Sequence, residues 1–213
     1  IGNEAIANGT DALAIGDTSV ATGPSTTAVG GESVANGPGT TALGWQANAA
    51  APFSNALGHQ STANGEQAIA IGEDSTANGI GSIAIGGNND ADGDGVPDQG
   101  QGATTDGADA IAMGAGASAT GPSTTSIGGE AVTNGPGSTA IGWQSAATAE
   151  RAQAFGHLAT AQGVRSLAIG ENADAQSDLS TAIGNEAIAN GTDALAIGDT
   201  ASATGPSTTS VGG

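Results

Sequence analysis

Glycine recurs at every fourteenth position from Gly2 to Gly212 without exception. A fixed period of this kind decides the architecture before local propensity can, because each repeat must become the same structural piece. A second glycine follows each of these phase glycines by seven residues, at Gly9, Gly23, Gly37 and onward, replaced only by Ala51, Ala149 and Ser177. Every repeat therefore holds two turns. A helix is excluded, since glycine every seven residues would cost about 1 kcal/mol each in a helix interior.

The residue before the phase glycine is apolar in every repeat but one, as in Ile15, Val29, Leu43, Leu57, Ile71, Ile85, Met113 and Phe155, with Gln99 the departure. Five residues after the phase glycine stands Ala, or Thr at Thr105 and Thr133. Both half-repeats alternate with period two between glycines, which is the pattern of short strands. Asn-Gly at 8–9, 36–37, 64–65, 78–79, 134–135 and 190–191 is expected to supply the positive backbone angles of a tight turn. Two strands and two turns make one coil of a flattened parallel β-solenoid, in which identical positions stack about 4.8 Å apart. The expectation is an all-β chain forming a single roll of about fifteen coils over residues 1–213, roughly 70 Å long. Alternation predicts that residues three and five after the phase glycine point inward, with those one and three before it. The interior would then hold Ser, Ala and one Ile or Leu per coil.

Charge narrows the possible partners. The chain carries 21 acidic residues against two Arg and no Lys, a net charge of −19. Nucleic acid and anionic lipid both require the cations that are missing. No run approaches the roughly 18 apolar residues of a membrane span, so direct membrane insertion is not expected. There is no Cys, and therefore no disulfide framework or thiolate nucleophile. The beginning at Ile1, without a charged leader, reads as a piece of something longer. GxSxG, P-loop and GxGxxG patterns are absent, no carboxylate pair stands out as acid and base, and enzymatic activity is not expected.

Longer blocks repeat over the short period. Residues 184–200, GNEAIANGTDALAIGDT, copy 2–18 without change, and GWQ at 142–144 copies that at 44–46. The recurring AIG with a second glycine seven residues on, as in GEDSTANGIGSIAIG at 72–86, resembles the head repeats of YadA-type trimeric autotransporter adhesins. The resemblance covers essentially the whole chain. It implies a left-handed parallel β-roll in a homotrimer, displayed on the surface of a Gram-negative bacterium. Its anchor in the outer membrane would lie outside these residues. The implied role is attachment to host matrix proteins, to cells or to other surfaces.

Three sets of residues are candidates for more than scaffolding. The repeat at 87–100, GNNDADGDGVPDQG, lacks AIG and reads as a departing unit or insertion at about 87–110. Within it Asp90, Asp92, Asp94 and Asp98, with the Val96 carbonyl, have the alternate-carboxylate spacing of a calcium loop. Gln101 stands where such a loop would place its bidentate Glu, and a solvated acidic loop is the other reading. Trp45 with His59, and Trp143 with His157, occupy equal positions in adjacent coils. They form either a shallow binding patch or a packing surface, and two His without Cys do not suggest zinc. Ile6, Val20, Val34, Val132 and Ile188, four after the phase glycine, are expected to point outward and to form a trimer interface.

Two other functions fit a solenoid. A polysaccharide-active parallel β-helix enzyme would need longer loops and clustered catalytic groups. An ice-binding solenoid would need Thr in one outward row on every coil. Thr27, Thr41, Thr125, Thr139, Thr181 and Thr209 fill that row only in part, and it is expected to point inward.

Overall fold

The computed structural model of the chain describes residues 1–90 and 92–212, as two compact units, Ile1–Gly116 and a second from Ala117 onward. Each unit contains seven two-residue strands and seven three-residue strands, and no helix occurs among the described residues. In the first unit the short strands run from Ile6–Ala7 to Thr104–Thr105 and the longer ones from Leu13–Ile15 to Ile111–Met113. In the second they run from Ser118–Ala119 to Ser202–Ala203 and from Thr125–Ile127 to Thr209–Val211. Every strand pairs in parallel with its equivalent one coil away, as in Ile69 with Ile83 and Val20 with Val34. The fold is an all-β parallel solenoid in which each coil has one strand in each of two sheets.

The interior is made only of small side chains. Residues three and five after the phase glycine are buried as expected, for example Ser19 with Ala21 and Ser33 with Ala35. The longer strand has the opposite register to that expected. Its buried residues are those two and four before the phase glycine, such as Thr26 with Ala28 and Thr40 with Ala42. The residues one and three before it, including Leu13, Leu43, Met113 and Ile141, face outward. The physical reason is thickness: with a turn every seven residues the two sheets lie too close to admit a side chain larger than Thr between them. The side chains of Ala, Ser and Thr fill the space, and the large apolar residues go outside. The Thr row of the ice-binding argument therefore faces outward as well, but Leu13, Asn55, Ile69, Ile83, Gln153 and Leu167 interrupt it.

Many buried hydroxyls are satisfied within their own turn, although those of Ser126, Thr133, Ser138 and Ser166 have no partner. Thr26 Oγ1 donates to the Gly23 carbonyl at 2.8 Å, Thr40 Oγ1 to Gly37 at 2.8 Å and Ser54 Oγ to Ala51 at 2.7 Å. This i to i−3 bond removes the cost of burying the polar group and braces the turn it closes.

The second glycine of each repeat has a different cause from the one expected. After Asn8, Gly9 does not take a positive φ; that falls two residues later, at Asp11 with φ 58°. What Gly9 provides is room, since a Cβ placed on it would lie 2.1 Å from the Gly23 carbonyl oxygen of the next coil.

One repeat is not a coil. Ile83–Ile85 pairs directly with Ile111–Met113, and Thr76–Ala77 with Thr104–Thr105, so stacking skips the departing residues. The chain leaves after Gly87 and returns at Gly102, where a Cβ would lie 2.5 Å from the Asp74 carbonyl carbon. Asp74 Oδ2 holds the neck, accepting from Asn88 Nδ2 at 2.8 Å and from the Gly100 N–H at 2.9 Å.

Candidate functional surface

Outward rows offer the chemistry of this molecule, and no cavity opens among the described residues. The row just before the phase glycine is apolar on every coil of each unit. In the first it reads Ile15, Val29, Leu43, Leu57, Ile71, Ile85 and Met113; in the second Ile127, Ile141, Phe155, Ile169, Ile183, Ile197 and Val211. Leu43 is 47% exposed and Met113 40%. The predicted interface residues Ile6, Val20, Val34, Val132 and Ile188 also lie on an outer face, on the two-residue strands. That row is broken by Asn48, Thr62, Thr76 and Thr104 in the first unit, and by Ser118, Thr160, Asp174 and Ser202 in the second. The continuous apolar row escaped the sequence reading because it was assigned to the interior. The close spacing of the glycines was the signal that it could not fit there.

The aromatic pairs are built ladders. Trp45 stacks on His59 with centroids 4.9 Å apart and planes at 18°, and His59 Nδ1 lies 2.8 Å from Glu73 Oε1. Trp143 and His157 repeat this at 4.9 Å and 19°, with Glu171 Oε1 at 3.2 Å. Three adjacent coils supply one residue each from the same position, which is why a spacing of fourteen in sequence becomes a stack in space. The glutamates were not singled out in the sequence, although the same fourteen-residue step from His59 reaches Glu73. A second ladder runs beside the first, with Gln60 Nε2 donating to Gln46 Oε1 at 3.0 Å and Gln46 Nε2 to Glu32 Oε2 at 2.8 Å.

The acidic excursion brings together Asp90, Asp92 and Asp94, with one carboxylate oxygen of each within 4.8 Å of the others. Asp98 is not one of these three, and Val96 adjoins them through its backbone. Asp98 donates its N–H to the Asn89 carbonyl at 2.7 Å, and Val96 donates its own to Asp94 Oδ1 at 2.8 Å. Backbone N–H groups already organise the carboxylates: Asp90 Oδ1 accepts from Gly93 at 2.8 Å and Asp94 at 3.0 Å, and Oδ2 from Gly95 at 2.7 Å. Three carboxylates on a short loop are hard oxygen donors of the kind that suits calcium.

The model of the YadA head domain repeat matches in thirteen windows between residues 1 and 213, omitting only 96–98, 118 and 146. The chain belongs to the YadA head repeat family. The unmatched 96–98 lie in the acidic excursion, where the chain has left the roll. YadA heads are non-enzymatic, trimeric adhesins of the cell surface, and an adhesin-type role follows for this chain. No curated protein matches it.

Proposed function

We propose that the chain is the head of a homotrimeric bacterial adhesin that attaches the cell to host matrix proteins, host cells or other surfaces. The observation that supports this reading most is the apolar row before the phase glycine, complete on every coil of both units. A chain with a net charge of −19 that left such a row in water would carry an exposed patch that soluble monomers avoid. Burial against copies of itself removes the patch, and rotational symmetry closes the assembly. The number three comes from the family. Assembly would leave the turn edges, with their polar ladders, turned to the surroundings as the adhesive surface. Binding of the purified fragment to immobilised matrix proteins, glycans and bare plastic tests the reading. Retention on at least one of these is expected, and failure on all of them would reject attachment as the function of this segment.

The excursion at Asp90, Asp92 and Asp94 is proposed to take calcium, an ordering role local to the loop. Calorimetry with millimolar calcium is expected to show binding that Asp92→Ala with Asp94→Ala abolishes; a flat titration of the unaltered chain rejects it.

A further inference from the structure

We propose that the Trp45 and Trp143 ladders are shelves for a guanidinium group, the arginine side chain of a basic partner protein. The shelf begins at a gap. On one face Trp45 is covered by His59. On the other the neighbouring position is Gly31, against which one edge of the indole leans: a Cβ there would lie 3.1 Å from Trp45 Cδ1, closer than ordinary contact, so the open part of this face is the outer ring. A glycine contributes no side chain to the stack, and the indole is left 46% exposed. Trp143 is 47% exposed, and Gly129 stands in the same place before it in sequence. A planar group would stack on the exposed outer ring of the indole, beyond the edge that rests on Gly31 and opposite the face that His59 covers.

The polar groups beside the gap choose the ligand. Gln46 spends its amide on the ladder, donating to Glu32 Oε2 and accepting from Gln60. What remains open is the second oxygen of Glu32, next in sequence to Gly31, and in the other copy that of Glu130, which Gln144 Nε2 holds at 2.7 Å. Asp17, one coil before Gly31, adds a further carboxylate in the first unit. The indole N–H lies in the ring plane and leaves the π face to the ligand. An open π face beside unpaired carboxylates calls for a flat, cationic, donor-only group, which describes guanidinium and not ammonium or a sugar. The chain's charge of −19 draws such a partner in. His59, fixed by Glu73, locks the indole before the ligand arrives, so little ordering remains to be done on binding.

The shelf rests on the adhesin reading only for its biological partner. The chain has two Trp and no Tyr, so its intrinsic fluorescence reports these two shelves alone. Titration at low salt with a capped Arg-Ser-Arg-Ser-Arg peptide is expected to shift that fluorescence saturably, and the lysine version to bind at least threefold more weakly. Gly31→Asn with Gly129→Asn covers this face, the new Cβ at position 31 displacing the Trp45 edge slightly from its 3.1 Å approach; Asn3 and Asn185 already occupy the same coil position, so the roll's backbone should tolerate it. This variant is expected to lose about tenfold in arginine-peptide affinity, and Glu32→Gln with Glu130→Gln a smaller factor. Equal binding of both peptides, or affinity unmoved by filling the gaps, would overturn the proposal. So would an equal shift with a neutral oligosaccharide, or a shift with protein concentration alone, which would assign the indoles to glycans or to a second copy. Peptide affinity unmoved in the Asn variants while matrix binding persists would reject the shelf and keep the adhesin reading; peptide affinity lost in those variants, with no matrix binding by the unaltered chain, would do the reverse.

Discussion

At the scale of single residues, the same amino acid serves unequal purposes. Gly142 takes φ 137°, and a Cβ on it would sit 2.3 Å from the Gly156 carbonyl oxygen. Gly93, in the excursion, has φ 76° with nothing near it. Gly142→Ala is therefore expected to destabilise by about 3 kcal/mol, a fall of roughly 10 °C in melting temperature, and Gly93→Ala by only about 1 kcal/mol. Thermal melts of the two variants check the contrast. The period of the glycines was plain in the sequence. Their causes were not, because close approach between coils is a contact fourteen residues away and leaves no local mark. Gly9 looked like part of a turn dipeptide, yet Asp11 takes the left-handed angle.

At the scale of the strand, parity was the hidden quantity. Three apolar or small residues between glycines, such as Leu13–Ala14–Ile15, satisfy period two whichever face is inward. Sequence alternation alone cannot say whether Ala or Ile fills the core, and the available thickness decides. The two-residue strands were legible because Ser and Ala flank a variable residue that could only be outside. Interior hydroxyls make the strand testable. Ser54 Oγ donates to Ala51 at 2.7 Å, whereas Ser138 Oγ is buried without a partner. Ser54→Ala is expected to cost about 1 kcal/mol, and Ser138→Ala to be neutral or stabilising. Chemical denaturation of both, side by side, decides this. Ala28→Leu, fully buried in the sheet-to-sheet gap, should destabilise by about 3 kcal/mol in the same assay.

At the scale of the whole molecule, the two outer rows make opposed forecasts about assembly. If the row before the phase glycine closes the trimer, Leu43→Asp with Ile71→Asp will shift the chain to monomer in light scattering at micromolar concentration. Val20→Asp with Val34→Asp on the other sheet will then leave it assembled; the reverse result would return the interface to Ile6, Val20 and Val34. The ladders at Trp45 and Trp143 were visible as spacing, but Glu73 as the partner of His59 and the side chain missing at Gly31 became readable only once the coils were laid on one another. The excursion between Gly87 and Gly102 has a practical consequence. Ile83–Ile85 and Ile111–Met113 pair as neighbours although the chain between them leaves and comes back, and Asp74 clasps its base. The segment is thus a natural port for grafting: foreign peptides spliced between Asp92 and Val96 should be displayed from the side of a rigid scaffold without disturbing the register on which the scaffold depends.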